Sequence, residues 1–432
     1  MTGSKNKMMR RRLLAALLAA AAVAPPLARA QDKEQTAAEA AIRQLQSKDA
    51  AVRGEAARAL GRMKPPPGAA VPHLIEALRD TDSAVRRDAA EALGAFGPEA
   101  TAAVPYLTNA LKDSGELVPE VAAAALVRIG PPAVGGLVRA LSDKEPPVIF
   151  LATYALGRIG SPAIGDLIGV FHSKNGPHRA NAAKALGRIG PAAVGPLVEA
   201  LKAGEPTVRG GAAWALGHIG PDAAAAVADL IQASKDTEPR VRRAAAWAMG
   251  KIGPRAAAGV AALVRALTDK ETQLRRYAAE ALGRIGPGAQ AAVADLVRAL
   301  EDDDALVRAC AAWSLGRIGP AAKAAVPRLI RALNDQADAL EDEGPESQVR
   351  LYAAGAMGGI GPDAKPAVPD LVRALKDKAE PMRAMAATAL GGIGPAAKDA
   401  VPALLGALRD EAASVRSAAT EALKKIRQAE SP

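Results

Sequence analysis

A thirteen-residue stretch, apolar at positions 1, 5, 8, 9 and 12 and small or polar elsewhere, recurs twelve times along the chain. A clear copy is V-R-R-A-A-A-W-A-M-G-K-I-G at Val241–Gly253. At 100° per residue those five positions, mostly Val, Ala, Ala, Leu and Ile, fall on one side of a helix and predict its core face. The other copies begin at Val52, Val85, Val118, Val148, His178, Val208, Leu274, Val307, Val349, Met382 and Val415. Successive starts lie 33, 33, 30, 30, 30, 33, 33, 33, 42, 33 and 33 residues apart. A period in this range predicts stacked units, because no single unit can bury its apolar face alone. The expected fold is all-α, an α-solenoid (superhelix) of about twelve helix pairs. With pairs about 8–10 Å apart, its arc is on the order of 100 Å long.

Gly-Pro steps at 97–98, 130–131, 190–191, 220–221, 253–254, 286–287, 319–320, 361–362 and 394–395 separate the units. Gly suits a left-handed residue after a helix, and Pro suits the first turn of the next. A first helix then ends in a phrase such as Val326-Pro-Arg-Leu-Ile-Arg-Ala-Leu-Asn-Asp335. Its proline follows a short helical lead-in and is expected to bend it, for want of an amide donor. The units starting at Val118, Val148 and His178 lose three residues from that lead-in. Before Val349, the segment 335–346 adds nine residues, mostly acidic. Its spacing matches no calcium loop, so a solvated loop is expected. Polar residues at both ends, Gln31–Asp49 and Lys424, Lys425, Arg427 and Glu430, read as caps on the array.

Composition narrows the core. Half the residues are hydrophobic, yet only three Trp, four Tyr and three Phe occur among 432 residues. Alanine, leucine, isoleucine and valine must therefore build the interior, and alanine lets helices approach closely. No alternating Val/Ile/Thr run is long enough for a sheet.

The first thirty residues differ in kind. Five cations from Lys5 to Arg12 precede the apolar Leu13–Ala24, and Ala28-Arg29-Ala30 follows. Residues 1–30 thus read as a secretory signal peptide, with 31–432 as the mature repeat domain, exported to the periplasm or secreted. The apolar stretch falls short of the roughly 20 residues that span a bilayer, so no membrane span is expected after cleavage. The leader holds six cations and no acid, so its removal takes the net charge from +10 to +4. A chain at +4 gives little general reason to expect nucleic acid. Cys310, the only cysteine, reads as a small buried hydrophobe.

The Ala-Leu-Gly-Arg-Ile-Gly cores at Ala155–Gly160, Ala185–Gly190 and Ala281–Gly286 accompany an aspartate closing the first helix. That aspartate recurs at 80, 113, 143, 236, 269, 302, 335, 377 and 410, with arginine at position 2 of the second helix. Together they resemble HEAT-like repeats of the phycobilisome-lyase type, over roughly residues 37–428. The resemblance implies an Asp–Arg ladder between neighbouring units and a concave side lined by second helices. It says little of function, since such repeats serve scaffolds, lyases and nucleic-acid enzymes alike. The ladder is broken where Ser173 and Ala203 replace Asp, and where Pro119 and Ile149 replace Arg.

Positions 3, 7, 10 and 11 of the second helix lie off the core stripe. All three tryptophans, Trp214, Trp247 and Trp313, occupy position 7, as does Tyr154, with Tyr277 and Tyr352 at position 4. Position 11 supplies Lys251, Arg284, Arg317 and other cations. An aromatic strip edged with charge could anchor a protein or peptide partner or stack on an anionic polymer, a nucleic acid or an acidic polysaccharide. The same residues could simply pack on the neighbouring helix. The four histidines are scattered, and neither a zinc-type Cys pair, H-E-x-x-H nor G-x-S-x-G occurs. The chain reads as a monomeric, non-enzymatic scaffold without cofactor or metal; a lyase accessory role rests on the resemblance alone.

Overall fold

The computed structural model describes residues 26–334 and 345–427. Within them the chain is helical, and no strand occurs. Each recurring phrase forms one α-helix of twelve to sixteen residues, for example Pro206–Ile219, Pro239–Ile252 and Thr272–Ile285. From the second copy on, each is preceded by a shorter first helix, such as Val227–Ala233 or Val260–Ala266, whereas the first, Ala50–Arg62, follows the longer Pro26–Gln44. The chain divides into two compact units, Met1–Ala163 and Ile164–Pro432. Most of the expected leader, residues 1–25, lies outside the described residues; its last five begin the helix Pro26–Gln44. The acidic insertion likewise lies outside them but for its final two residues.

The core stripe is where the periodicity places it. In the Pro239–Ile252 helix, Val241, Ala245, Ala248, Met249 and Ile252 are fully buried. Ala244 and Ala246 are buried as well. The second helix thus packs on three sides: against its own first helix and against both neighbouring second helices. That explains the alanine content, because only small residues allow close backbone approach on so many faces.

Position 10 departs from the outward placement expected of it. A Cβ built on Gly250 would stand 3.0 Å from both Cα and Cβ of Ala281 in the next second helix. On Gly391 it would stand 2.8 Å from Ala422 Cα. Glycine here sets the spacing between units.

The lead-in also differs from expectation. It is a 3-10 helix, seven residues in Gly220–Ala226 and Gly253–Gly259 but three or four in Pro131–Ala133, Ser161–Ala163 and Gly190–Ala193. The shorter units thus lose about one 3-10 turn, as their sequence implies. Pro72, Pro105, Pro369 and Pro402 sit in the first turn of the following α-helix. There the missing amide has no partner to lose, so they start a helix rather than bend one. The boundary glycines have positive φ, but Gly220 (φ 74°, ψ −138°) and Gly319 (φ 82°, ψ −144°) occupy the mirror image of the β region. That conformation reverses the chain into the next lead-in, and a side chain there would be strained.

The ladder is real within each unit. Arg209 donates to both carboxylate oxygens of Asp236 at 2.6 and 2.9 Å, and to the carbonyls of Ala203 and Gly204 in its own turn. Asp236 in turn accepts from the Glu238 amide at 2.9 Å. Arg53–Asp80, Arg86–Asp113, Arg275–Asp302 and Arg383–Asp410 repeat the motif. Each arginine staples its own turn and clamps the following unit. Where Pro119 replaces arginine, Lys112 reaches Asp143 at 2.7 Å instead.

Candidate functional site

The aromatic strip begins with the local chemistry of position 7. A ring there rises from one second helix and lies against position 10 of the preceding one, where glycine leaves a notch. A Cβ on Gly217 would come 2.2 Å from Trp247 Cζ3, and one on Gly283 would come 2.5 Å from Trp313 Cζ3. Trp247 and Trp313 are therefore packed on one side and open on the other, whereas a Cβ on Gly187, the glycine before Trp214, would meet His218 at 2.5 Å; all three tryptophans are half-buried. Packing and accessibility, which the sequence sets as alternatives, coexist.

Within the second unit the strip contains a tight cluster. The Trp214 and Trp247 rings are 4.2 Å apart at their centroids, and Tyr277 meets Trp214 edge-on at 6.1 Å. His218 stands edge-on to Trp247 at 5.1 Å. Such tilted and T-shaped contacts are the favoured aromatic geometries. The Lys251 ammonium sits 5.4 Å above the Trp247 ring and the Arg317 guanidinium 5.7 Å above Trp313. These are cation–π distances. Arg284 is differently engaged: it pairs with Glu280 one turn earlier, at 2.7 Å. Tyr352 is exposed, and so is Tyr154, which belongs to the first unit rather than to the cluster.

Electrostatics sharpen the picture. Position 11 is exposed throughout, from Arg62 to Lys425. Desolvation, with Lys184 and Lys251 close by, holds His218 below the usual imidazole value. It is neutral at pH 7, an aromatic edge rather than a further cation. Burial, aided by Glu280, pushes the Cys310 thiol up to about 11. The thiol stays protonated and weakly nucleophilic near neutrality. Among the described residues no group of three or more His, Cys, Asp or Glu could hold a metal ion. No single described helix is long and apolar enough to cross a membrane.

Beside the cluster lies a feature the site residues above do not include. A cleft of about 510 Å³ opens across three successive second helices, Gly176–Ile189, Pro206–Ile219 and Pro239–Ile252. Position 3 explains it. The three copies before carry Arg87, Glu120 and Phe150 there and the two after carry Arg243 and Arg276, but Ala180 and Gly210 intervene; Gly54, Ala309 and Ala384 are small residues at the same position elsewhere. Arg179, Arg240, Arg243, Trp214 and His218 wall the space over that low floor. The signal in the sequence is two small residues in succession at position 3, bounded by Phe150 and Arg243.

Comparison with protein families decides what the stacked units are. A family model described as HEAT repeats matches residues 38–126, 166–228, 196–270, 260–343 and 337–424. The chain is a HEAT-repeat protein. No curated protein matches it at a significant level. Among solved structures, this HEAT-repeat chain aligns over 91% of its length with 63% of importin β, crystallised in an ammonium sulfate condition, at TM-score 0.52 and 15% identity. A crystallised engineered protein aligns with 91% of this chain and 99% of its own, at TM-score 0.39 and 24% identity. Such likeness at these identities concerns the fold. The family match and the described helices establish the HEAT-repeat architecture, and function rests on the site.

Proposed function

We propose that this HEAT-repeat protein is an exported, non-catalytic scaffold that holds a protein or peptide on its second-helix face. The observation that carries this reading is the Trp214–Trp247–Tyr277 cluster, in which Trp247 rests in the Gly217 notch, Trp214 and Tyr277 pack on one another, and all three rings stay half-exposed. Rigid, half-exposed aromatics flanked by cations are favoured interface anchors, since little freedom is lost on binding. Trp247→Ala tests it in affinity capture from the native envelope fraction. Capture is expected to weaken at least about tenfold. Stability should fall by only about 1–2 kcal/mol, less than for a fully buried Trp. Undiminished capture by the folded variant would refute the reading.

Export rests on the basic, apolar and small-residue order of residues 1–30. The expected intact mass of the exported protein begins at Gln31; a mass that retains Met1–Ala30 would refute cleavage there. The phycobilisome-lyase subtype rests on the Ala-Leu-Gly-Arg-Ile-Gly cores, and an accessory role toward a chromophore protein would show as visible absorbance of purified material. The exposed cations of position 11 favour a second reading, an anionic polymer. Affinity falling steeply with salt would distinguish that polymer from a protein partner.

A further inference from the structure

The ladder between units breaks at three joints, and they break differently. At one, Pro119 removes the arginine and Lys112 takes over its aspartate, Asp143. At another both members are gone, with Ile149 and Ser173 in their places. At the third the arginine remains and the acid does not: Arg179 stands at position 2, but Ala203 occupies the place of its aspartate. Among the described residues Arg179 makes no ion pair, and it donates to the Ser173 carbonyl at 2.5 Å. Elsewhere the same guanidinium position clamps a carboxylate through two nitrogens, as Arg209 does with Asp236.

This unmatched arginine lines the cleft. The other cations there are differently served. Arg243 pairs with Glu271 at 3.1 Å, and Arg240 lies 3.9 Å from Glu238. The floor at Gly210 is open: a Cβ there would meet Arg240 and Val241 at 3.8–3.9 Å, ordinary contact. A missing acid, which departs from the ladder, and two successive small residues at position 3 thus coincide beside Arg179. Neither helps the array stack. Together they leave an arginine fork facing a volume that a side chain could enter.

We propose that this cleft receives an aspartate or glutamate side chain from an extended acidic segment of the partner protein, which completes the joint that Ala203 leaves open. The proposal rests on the scaffold reading and names the chemistry of its partner. The incoming carboxylate takes the two-pronged hydrogen bond that the array gives its own aspartates, a geometry that suits a planar carboxylate. Trp214, at the cleft wall, supplies the apolar contact for the neighbouring peptide backbone. Charge complementarity speeds capture and rejects basic segments.

Ala203→Asp is the deciding variant, because it supplies the absent acid from within. Binding is read by anisotropy of a fluorescein-labelled peptide of Asp, Gly and Ser, beside its Asn-containing counterpart and an oligothymidine of equal charge. The native protein is expected to hold the acidic peptide about tenfold tighter than the neutral one, the scale of one charge-assisted fork. Ala203→Asp should raise the melting temperature and weaken the acidic peptide by about the same factor; Arg179→Gln should weaken it without the gain in stability. Three results would overturn the proposal: no stabilisation by Ala203→Asp, stabilisation with binding unchanged, or equal affinity for acidic and neutral peptides. The last would leave the scaffold reading standing, since a peptide would still be held. If oligothymidine alone binds, or nothing does, both readings fall together.

Discussion

Asp236→Ala is expected to cost roughly 2–3 kcal/mol and to open the array at one joint. The loss sits below the roughly 3–5 kcal/mol of a fully buried pair, because the Arg209 and Asp236 side chains keep 17% and 10% exposure. Three things go at once: the two-pronged bond from Arg209, the bond from the Glu238 amide, and the counter-charge of a half-buried guanidinium. Solenoid stability is close to a sum of unit and interface contributions. Hydrogen exchange should therefore quicken first in the helices flanking this joint, Pro206–Ile219 and Pro239–Ile252. An unchanged melting temperature with unchanged exchange there would sink the ladder as a source of cohesion. The same pairs set the acid limit. Hydrogen bonds from their arginines hold Asp80, Asp113 and Asp236 below the usual carboxylate range. Their folded values lie below the unfolded ones, so this stability is complete above the unfolded value, about pH 4. It is lost as pH falls through the folded values. Melting temperature should hold steady from neutrality down to about pH 4 and drop below it.

Gly217→Ala is expected to cost about 1–3 kcal/mol, the range for forcing extra volume into a packed contact. The new methyl would fall 2.2 Å from Trp247 Cζ3 and 3.0 Å from Ala248 Cα, so the ring or the whole helix must move. The Gly204→Ala control meets nothing within 4 Å and should be nearly neutral. Tryptophan fluorescence should change in the first variant and not in the second. Combining Gly217→Ala with Trp247→Ala should cost less than the two losses added, since the clashing ring is gone; coupled neighbours depart from additivity in this way. Strict additivity would show that the notch does not hold the ring.

Much of this molecule is legible in its sequence, because a repeat states its own rules twelve times. The core stripe, the unit boundaries and the cap-like glycines follow from periods and offsets within one chain segment, and the Asp–Arg partnership from the resemblance to HEAT-like repeats. What escapes is whatever depends on the contact between units. Position 10 looks like an ordinary outward slot on a helical wheel, yet Gly250 and Gly391 are fixed by the backbones of Ala281 and Ala422, in the next unit. The proline at Pro369 looks like a helix breaker until the lead-in proves to be 3-10 and the proline the start of the next helix. The site divides along the same line. The aromatic strip is visible as a column of residue types, whereas its packing on glycine notches is not. The cleft is harder still, for it arises from side chains that are absent, Ala180, Gly210 and Ala203, and a motif search registers what is present.

The joints bear on how such a chain can change in length. From Arg209 onward, each unit carries an acid that answers the arginine before it and an arginine that awaits the acid after it. Excise 33 residues between Arg209 and Asp269 and the two meet at the separation now kept by Arg209 and Asp236. The fragment removed closes a gap in the gene and leaves none in the protein. Cohesion is thus inherited intact by a longer or shorter descendant, while the column of side chains at position 7 is reshuffled: Glu280 would follow Trp214 where Trp247 now does. Loss or duplication of units edits what the face recognises without disturbing what holds it together.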